Sequence, residues 1–329
     1  MPSITDEPPE NIRGELADLR DALDAAIPPK ALDRNLLVAT WNLRAFGELT
    51  DKWAAGPKDS PQRDLHALLC ISEIVSRFDV VAIQEVKANL RCLREMLRWL
   101  GPQWGVILTD VTRGAPGNGE RMAFVFDQRK VNISGLACEL VVPKELLAQD
   151  IRPDALRDQF ARTPYAVGFR VGHHTFVLVT LHVLYGDSAE ERTGELRAIA
   201  EWMSDWALDI NAYENNLIVL GDFNIDRQGD ERYQAFTSTG LVIPDELQRV
   251  PRTIFSDPTQ PNLNKFYDQI AWFVDREGIP ALSLTNVRSG SFDFVGRALA
   301  TRQLSKAQLA WRISDHYPLW CEFLTRDWA

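Results

Sequence analysis

The stretch LIVLGDFN, residues 217–224, shows how this fold is built, because an apolar run ends abruptly on Gly-Asp-Phe-Asn. Consecutive branched and long apolar residues are typical of a strand that is buried on both faces. The polar residues that follow lie where such a strand leaves its sheet. Five further runs carry an acid, amide or imidazole at or near one end: LLVATWN 36–42, VVAIQE 80–85, FVLVTLH 176–182, FYDQIAWF 266–273 and ISDHYPLW 313–320.

Outside these runs the chain alternates short apolar segments with longer amphipathic ones. The predicted strands are Leu36–Trp41, Val80–Gln84, Gly105–Leu108, Met122–Phe126, Val131–Leu140, Tyr165–Val171, Thr175–Val183, Leu217–Leu220, Phe266–Phe273, Ala281–Val287 and Tyr317–Phe323. Helical periodicity covers residues 61–77, 89–100 and 188–212. Because strands follow one another without helices over 105–140 and 165–183, the order favours an α/β fold of two packed β-sheets with helices on their outer faces.

Residues 1–34 are predicted to be an acidic helical extension, and residues 35–329 one large domain. Within the extension, apolar residues recur at helical spacing up to Pro28 and Pro29, which end the helix: Ile12, Leu16, Leu19, Leu23 and Ile27. This face could dock on the chain's own domain, or it could mediate self-association with a second copy. The spacing alone leaves both interpretations open.

The overall charge restricts the classes of function. Forty-six acidic residues against 36 basic ones give a formal net charge of −10. With 45% hydrophobic residues the chain has ample material for a core, which excludes a disordered or collagen-like protein. The acidity opposes binding of nucleic acid by bulk electrostatics, since such binding depends on Lys and Arg neutralising phosphates. Any action of this chain on a polyanion must therefore depend on a local group of residues and not on the overall charge.

The cysteine pattern and the N-terminal sequence predict the compartment. The four cysteines form neither a CxxC pair nor a zinc-finger spacing, which opposes both a disulfide scaffold and a zinc site: Cys70, Cys92, Cys138 and Cys321. The first residues show no basic segment followed by an apolar one, and no long apolar run follows later. These observations predict a cytoplasmic protein without a membrane partner.

Four carboxylates stand at the ends of the apolar runs, on Glu85, Asp222, Asp268 and Asp315. Strand ends converge at the edge of a packed sheet, and clustered carboxylates repel one another unless a cation lies among them. Oxygen ligands without thiolates favour Mg²⁺ or Mn²⁺ over zinc. Because Mg²⁺ keeps coordination positions for substrate phosphate, the pattern indicates phosphoryl chemistry.

The remaining polar residues fit that chemistry. His182 and His316 can move protons, Asn42 and Asn224 can bind a phosphate oxygen or a nucleophile, and Arg162 can stabilise developing charge. Each also has a plain structural interpretation: Glu85 as a solvated strand end, GDFN as a turn, and Asp315-His316 as the entry to a strand. Asp268 is more informative, because an acid among apolar residues needs a partner, which an imidazole can supply. Four tryptophans are interpreted as core or cover: Trp202, Trp206, Trp311 and Trp328.

Taken in chain order, these residues and the motifs GDFN, YDQI and SDHYP resemble the endonuclease/exonuclease/phosphatase superfamily over roughly residues 36–324. The similarity is greatest to its deoxyribonuclease I branch, through WNLRAFGE, FDVVAIQEV, NGERMAFVF, ARTPYAV and ISDHYP. The resemblance implies a four-layered α/β/β/α sandwich. It also implies divalent-metal-dependent hydrolysis of a phosphodiester, with DNA as the expected substrate and 5′-phosphate ends on the products.

The resemblance also implies a role for each residue. Glu85 would be the principal metal ligand, with Asn42 and Asp315 nearby, and Asp222 and Asn224 would lie on the side of the attacking water or at a second metal position. His182, oriented by Glu120, and His316, oriented by Asp268, would be the two imidazoles that transfer protons or bind phosphate. Arg44 and Lys87 match positions that touch DNA, and Arg162 supports the phosphate.

Two stretches differ from the secreted members of that branch. Residues 138–162 look helical and contain one cysteine, and residues 251–265 lack an acidic and threonine cluster that matches the one in those members. We therefore expect neither calcium binding nor a disulfide. Other substrates stay open, namely an inositol phosphate, a phospholipid head group, RNA or abasic DNA. A catalytically silent binding module is a further alternative, which a broken set of site residues would have favoured.

Overall fold

The computed structural model describes residues 1–112, 119–140, 162–183, 189–208, 216–274 and 279–325. Residues 141–161 of the helical-looking stretch 138–162, both ends of the helix expected over 188–212, and Trp328 lie outside these residues. The described helices are α1 Glu10–Ala26, α2 Leu65–Val75, α3 Arg91–Leu100, α4 Ala189–Leu208, α5 Glu231–Thr237 and α6 Lys306–Ala310. The described strands are β1 Asn35–Phe46, β2 Val80–Lys87, β3 Trp104–Leu108, β4 Glu120–Asp127, β5 Asn132–Glu139, β6 Tyr165–Val171, β7 His174–His182, β8 Leu217–Asp222, β9 Leu241–Val242, β10 Asp268–Phe273, β11 Thr285–Ser291 and β12 Leu319–Leu324.

The strands form two mixed sheets that pack face to face. The first has the order β11-β12-β1-β2-β4-β3 and the second the order β5-β6-β7-β8-β10-β9. Apolar side chains from both sheets, such as Val38, Phe124, Val179 and Ile270, form one buried cluster between them. Helices α1, α2 and α3 pack on the outer face of the first sheet and α4 on the second. The predicted α/β/β/α sandwich is confirmed.

Each sheet contains one parallel pair of strands at its centre. Strand β1 runs parallel to β2, and β7 runs parallel to β8. The segment between the strands of each pair contains a helix, α2 in the first and α4 in the second. Since parallel strands end at the same edge of a sheet, each pair places two strand ends side by side. The antiparallel neighbours β12 and β10 begin at those same edges.

The largest difference from the predicted strands lies at the edge of the first sheet. A strand was expected over Ala281–Val287, whereas β11 covers Thr285–Ser291 and pairs with β12. Its residues are polar and largely exposed, because an edge strand is held by backbone hydrogen bonds and needs no apolar face. The short β9 was also missed, since two residues carry no periodicity.

Helix α1 confirms the amphipathic pattern of the extension. Ile12, Leu16, Leu19 and Leu23 are buried in the cluster beneath the first sheet, and α1 packs on α2. Because these side chains are already covered within the chain, docking on the chain's own domain accounts for the apolar face without a second copy. Among all the helices in the described residues, α1 included, none is long and apolar enough to cross a membrane.

Glu15 fixes α1 in place through a buried polar network. Its carboxylate accepts hydrogen bonds from the backbone N–H of Ala300 at 3.0 Å and of Thr301 at 3.2 Å. Nε2 of His66 on α2 lies 3.3 Å from Oε1 of Glu15. Burial alone would raise the pKa of Glu15, but the bonds from His66 and Thr301 lower it to about 2.

We expect Glu15→Gln to lower the free energy of unfolding by about 1–3 kcal/mol near neutral pH, because the variant loses charged acceptors for buried donors. The folded-state pKa lies below the unfolded one, so the stabilisation is complete above about pH 4.5 and disappears as the pH falls towards 2. Urea titrations from pH 3 to 7 measure the difference. The exposed Asp18→Asn on the same helix is the control, and an equal loss at every pH would contradict the ionic role of Glu15.

The four cysteines are free thiols. Cys70, Cys92 and Cys321 are buried, and Cys138 is half-buried on the edge strand β5. The expectation that no disulfide framework supports the fold is confirmed.

Candidate active site

The predicted site residues meet where the two parallel pairs end. Asn42 and Glu85 belong to β1 and β2 of the first sheet, and His182 and Asp222 are paired at the ends of β7 and β8 in the second. Asp268 begins β10 opposite Asp222, and Asp315 and His316 immediately precede β12. The site therefore lies on the seam between the sheets, at one edge of the sandwich.

The backbone is locally distorted where it presents these side chains. Ala45, Glu85 and Asn224 have φ values of 49°, 60° and 49°, a left-handed conformation that is costly for residues other than glycine. The pairing of β2 with both neighbours is irregular around Glu85. Gly221 has a φ of 146°, and a Cβ there would lie 2.0 Å from the carbonyl oxygen of Leu181. Only glycine allows β7 and β8 to approach this closely.

Asn42 joins the two sheets within the site. Its Nδ2 donates to Oε1 of Glu85 at 3.1 Å and to Oδ2 of Asp222 at 3.0 Å. Its Oδ1 accepts the backbone N–H of Arg44 at 3.1 Å. The other oxygen of Glu85 accepts the backbone N–H of Ala45 at 2.8 Å. One buried amide therefore holds a carboxylate from each sheet at a fixed separation.

The pKa values of the two carboxylates beside Asn42 are shifted in opposite directions. Burial would raise the pKa of Glu85, but His182, the Ala45 N–H and the Asn42 amide together hold the pKa below its ordinary value. Burial raises the pKa of Asp222, and the neighbouring Asp268 adds to that effect. Glu85 therefore remains a carboxylate, whereas Asp222 is the better proton acceptor of the two.

Asp268 and His316 form the predicted dyad. Nδ1 of His316 lies 2.7 Å from Oδ2 of Asp268, and both side chains are buried. The backbone of His316 is also fixed, since Trp41 donates to its carbonyl at 2.8 Å and Ser314 accepts from its N–H at 3.0 Å. Burial would lower the pKa of His316, but Asp268 and Asp222 raise it to about 10. His316 is thus an imidazolium at neutral pH.

The predicted pairing of His182 with Glu120 is a close contact in the structure and not a hydrogen bond. Nδ1 of His182 lies 3.6 Å from Oε2 of Glu120, which is beyond hydrogen-bonding distance. Glu120 instead forms ion pairs of 2.7 Å with Lys87 and with Arg162, whose fixed charges compete for its oxygens. Nε2 of His182 lies 3.8 Å from Asp222. Burial, and then Arg162, lowers the pKa of His182 to about 4, so this imidazole is neutral.

Asn224 and Asp315 are the last two predicted residues of the site. The N–H of Asn224 donates to Oδ1 of Asp222 at 3.0 Å, and its side chain donates to the carbonyl of Val183 at 2.5 Å. Asp315 is only half-buried and pairs with Arg44 at 2.7 Å. Arg44 is the one predicted DNA-contacting residue that reaches the carboxylates directly, whereas Lys87 reaches Glu120.

The donor atoms fit a hard divalent cation. One atom each of Asp222, Asp268 and His316 lies within 4.8 Å of the other two, and of these three groups the two carboxylates can bind a cation while His316 is protonated. Oδ1 of Asp268 is buried and receives no hydrogen bond from the described residues. Glu85 and Asp315 are half-buried, so their oxygens can be reached from solvent. Carboxylate and amide oxygens without a thiolate are the ligands that Mg²⁺ and Mn²⁺ prefer.

Two buried arginines that support the site were not predicted. The guanidinium of Arg63 donates to five carbonyls: those of Leu43, Arg44, Ala45, Arg312 and Ile313. Arg252 donates to the carbonyl of Asp268 at 2.8 Å and stacks on Phe266. Both arginines lie outside the apolar runs, and the contacts that tie them to the site are made across the fold, so no local pattern indicates them. Ser314, which accepts the backbone N–H of His316, lies within the motif SDHYP, but the motif alone does not indicate this role.

Comparison with known proteins gives consistent matches. The sequence profile of the Endonuclease/Exonuclease/phosphatase family matches residues 39–316. A deoxyribonuclease of Thioalkalivibrio sp. is 29% identical over 209 residues, which is 61% of this chain and only half the length of that relative. Deoxyribonuclease-1 of Bos taurus is 25% identical over 88% of this chain and 92% of its own. The structure of a mannosyl-6-phosphatase from Bacteroides thetaiotaomicron superposes with a TM-score of 0.55 at 21% identity, over 88% of this chain and 99% of that one.

Proposed function

Because this chain belongs to the endonuclease/exonuclease/phosphatase family, we propose that it is a divalent-metal-dependent endonuclease that hydrolyses phosphodiester bonds of DNA. The observation that carries the proposal is the convergence of the Asp268–His316 dyad and the Glu85–Asn42–Asp222 bridge on one seam. The similarity to two deoxyribonucleases supports DNA as the substrate class. The Bacteroides structure shows that the same fold also carries a phosphatase, so fold alone does not choose the substrate.

In the proposed reaction a water oxygen attacks phosphorus and the bond to the 3′ oxygen breaks. The products are one strand with a 5′-phosphate and one with a 3′-hydroxyl. Glu85, with Asn42 and Asp315, would hold Mg²⁺ or Mn²⁺, which supplies charge neutralisation at a non-bridging phosphate oxygen. Asn42 holds Glu85 in the orientation that this requires.

The side chains of the chain perform the proton transfers in this scheme. Asp222, whose pKa is raised, or the neutral His182 beside it accepts the proton of the attacking water. His316, held as an imidazolium by Asp268, donates to a phosphate oxygen or to the leaving 3′ oxygen. Asn224, fixed at the turn after β8, orients the water or the phosphate. The opposite pKa shifts of the two imidazoles match an acceptor on one side and a donor on the other.

A basic cavity beside the site supports a long polyanionic substrate. Its volume is about 960 Å³ and its lining includes Tyr317, which follows His316 in the chain. The charged residues of the lining are Arg227, Arg249, Lys265, Lys306 and Asp293. The lining thus carries four cations and one acid within a chain of net charge −10, although Lys265 is already paired with Asp226 at 2.7 Å. Phosphates away from the cleaved bond can bind there.

A small phosphoester such as an inositol phosphate is the second candidate. The acidity of the chain favours it, because net negative charge opposes binding of a long polyanion. The ion pairs of Lys87 and Arg162 with Glu120 favour it too, because these two cations are already engaged within the chain. RNA, abasic DNA and phospholipid head groups are further possible substrates, and the substrate comparison described below includes them. We place the reaction in the cytoplasm, as expected for a chain with four free thiols.

We expect the purified protein with Mg²⁺ or Mn²⁺ to nick supercoiled DNA, and removal of the metal with EDTA to abolish nicking. Single-stranded DNA, RNA, an abasic duplex, inositol phosphates and phospholipid head groups are tested side by side. Ligation of the cleaved ends reports 5′-phosphates. Metal-dependent turnover of inositol phosphates without DNA cleavage would favour the second candidate, and nicking that persists in EDTA would contradict the metal requirement.

A further inference from the structure

Trp311 is a large aromatic side chain exposed beside the candidate active site. It follows the last residue of α6 and is 55% exposed, whereas the next residues, Arg312 and Ile313, are buried. The ring is therefore not part of the core, and it covers the guanidinium of Arg44. Trp311 lies only four residues before Asp315, so its exposed indole is close to the candidate site.

One face of the indole is occupied by Arg44. The guanidinium carbon of Arg44 lies 4.0 Å from the ring centroid of Trp311, in the geometry of a cation–π contact. The same guanidinium donates to Oδ2 of Asp315 at 2.7 Å. Arg44 therefore links the indole to the carboxylate of Asp315. The opposite face of the ring is not covered by Arg44.

The backbone on both sides of this stack is fixed. Arg63 donates to the carbonyl of Arg44 at 2.8 Å and to those of Arg312 and Ile313 at 2.9 and 3.1 Å. A single buried cation therefore links the segment that carries Arg44 to the segment that carries Trp311. A surface held in place in this way binds a flat partner with little further loss of conformational entropy.

We propose that Trp311 stacks on an unpaired nucleobase of the substrate, next to the phosphate that is cleaved. The inference rests on the proposed function and names its preferred form, which is single-stranded or locally unpaired DNA. A nucleobase offers a π-face that an indole can stack on, whereas the backbone sugar and an inositol ring do not. Within a duplex, neighbouring bases cover both faces of each base.

The test compares Trp311→Ala with the wild type on two single-stranded oligonucleotides of equal length. One carries all its bases, and the other lacks the bases around the cleaved bond. On the complete strand, KM should rise about tenfold with kcat little changed, as for the loss of one stacked base. On the base-free strand the two proteins should have the same KM. Trp311→Phe should stay near the wild type, and the exposed Leu32→Ala is the control for surface truncation.

Binding of a labelled complete oligonucleotide, measured by fluorescence anisotropy in EDTA, makes the test independent of cleavage. The affinity of Trp311→Ala should be about tenfold lower than that of the wild type. An equal change in KM on both strands would show that Trp311 acts only by positioning Arg44, and unchanged KM and affinity on the complete strand would also overturn the proposal. If the wild type cleaves no DNA but its binding still depends on Trp311, the proposed function fails while the stacking inference stands.

Discussion

Glu85→Gln is expected to abolish metal-dependent cleavage while leaving the fold intact. The amide has nearly the same size, so it preserves packing at a position whose φ of 60° already restricts the backbone. It removes the negative charge that His182, Ala45 and Asn42 stabilise, and with it the principal oxygen ligand of the proposed metal. We expect kcat on plasmid DNA to fall by more than about a hundredfold.

The matched control for this variant is Glu201→Gln, which makes the same chemical change on the exposed side of α4. Plasmid nicking is measured against Mg²⁺ concentration, and circular dichroism melting reports the fold. The control should nick like the wild type. Nicking by Glu85→Gln at a near-normal rate, with normal metal dependence, would refute the assignment of Glu85 as the metal ligand.

Asp268→Asn is expected to lower kcat by about 10²- to 10⁴-fold, the range attributed to one positioned acid–base group. Asp268 fixes the ring of His316 through the 2.7 Å contact and keeps the imidazole protonated. Its charge is the largest factor that raises the pKa of His316 towards about 10, against the effect of burial. Asparagine can still accept a hydrogen bond, but without the charge the pKa of His316 must fall.

The sign of the pH effect follows from this shift. Wild-type His316 remains protonated as the pH rises until about 10, whereas in Asp268→Asn it loses its proton at lower pH. Activity of the variant relative to the wild type should therefore be greater at pH 6 than at pH 9. The exposed Asp205→Asn on α4 is the control. Near-normal kcat across this range would contradict the role of the dyad.

The strand ends could be predicted because their signal is local. A buried strand must be apolar, so a polar residue at its end stands out, as with Asp222 after LIVL and Glu85 after VVAIQ. The dyad was predictable for a related reason, since Asp268 sits in an apolar strand and requires a partner. Once the two sheets pack together, the strand ends that carry these residues converge at one edge of the sandwich.

The side-chain partners at the edges of the site were less predictable. Glu120 has three cationic or imidazole neighbours, of which Lys87 and Arg162 each lie 2.7 Å from its oxygens while Nδ1 of His182 lies 3.6 Å away, and only the assembled fold sets this order. Of the five carbonyls that Arg63 binds, three lie 18–20 residues before it and two lie 249 and 250 residues after it. Such contacts are properties of the assembled fold, and no sequence window contains them.

The position of Asn42 between Glu85 and Asp222 makes catalysis dependent on the alignment of the two sheets. Each sheet is held internally by its own backbone ladder, whereas the two sheets are joined by apolar packing and by a few side-chain hydrogen bonds, such as that of Gln84 with Thr180, which a small sliding motion would change. Hydrogen bonds of 3.0 and 3.1 Å tolerate only a fraction of an ångström of such sliding. Loss of turnover will therefore precede loss of strand structure under pressure or mild denaturant. For the same reason, substitutions deep in the inter-sheet core will alter the rate of a reaction that takes place at its edge.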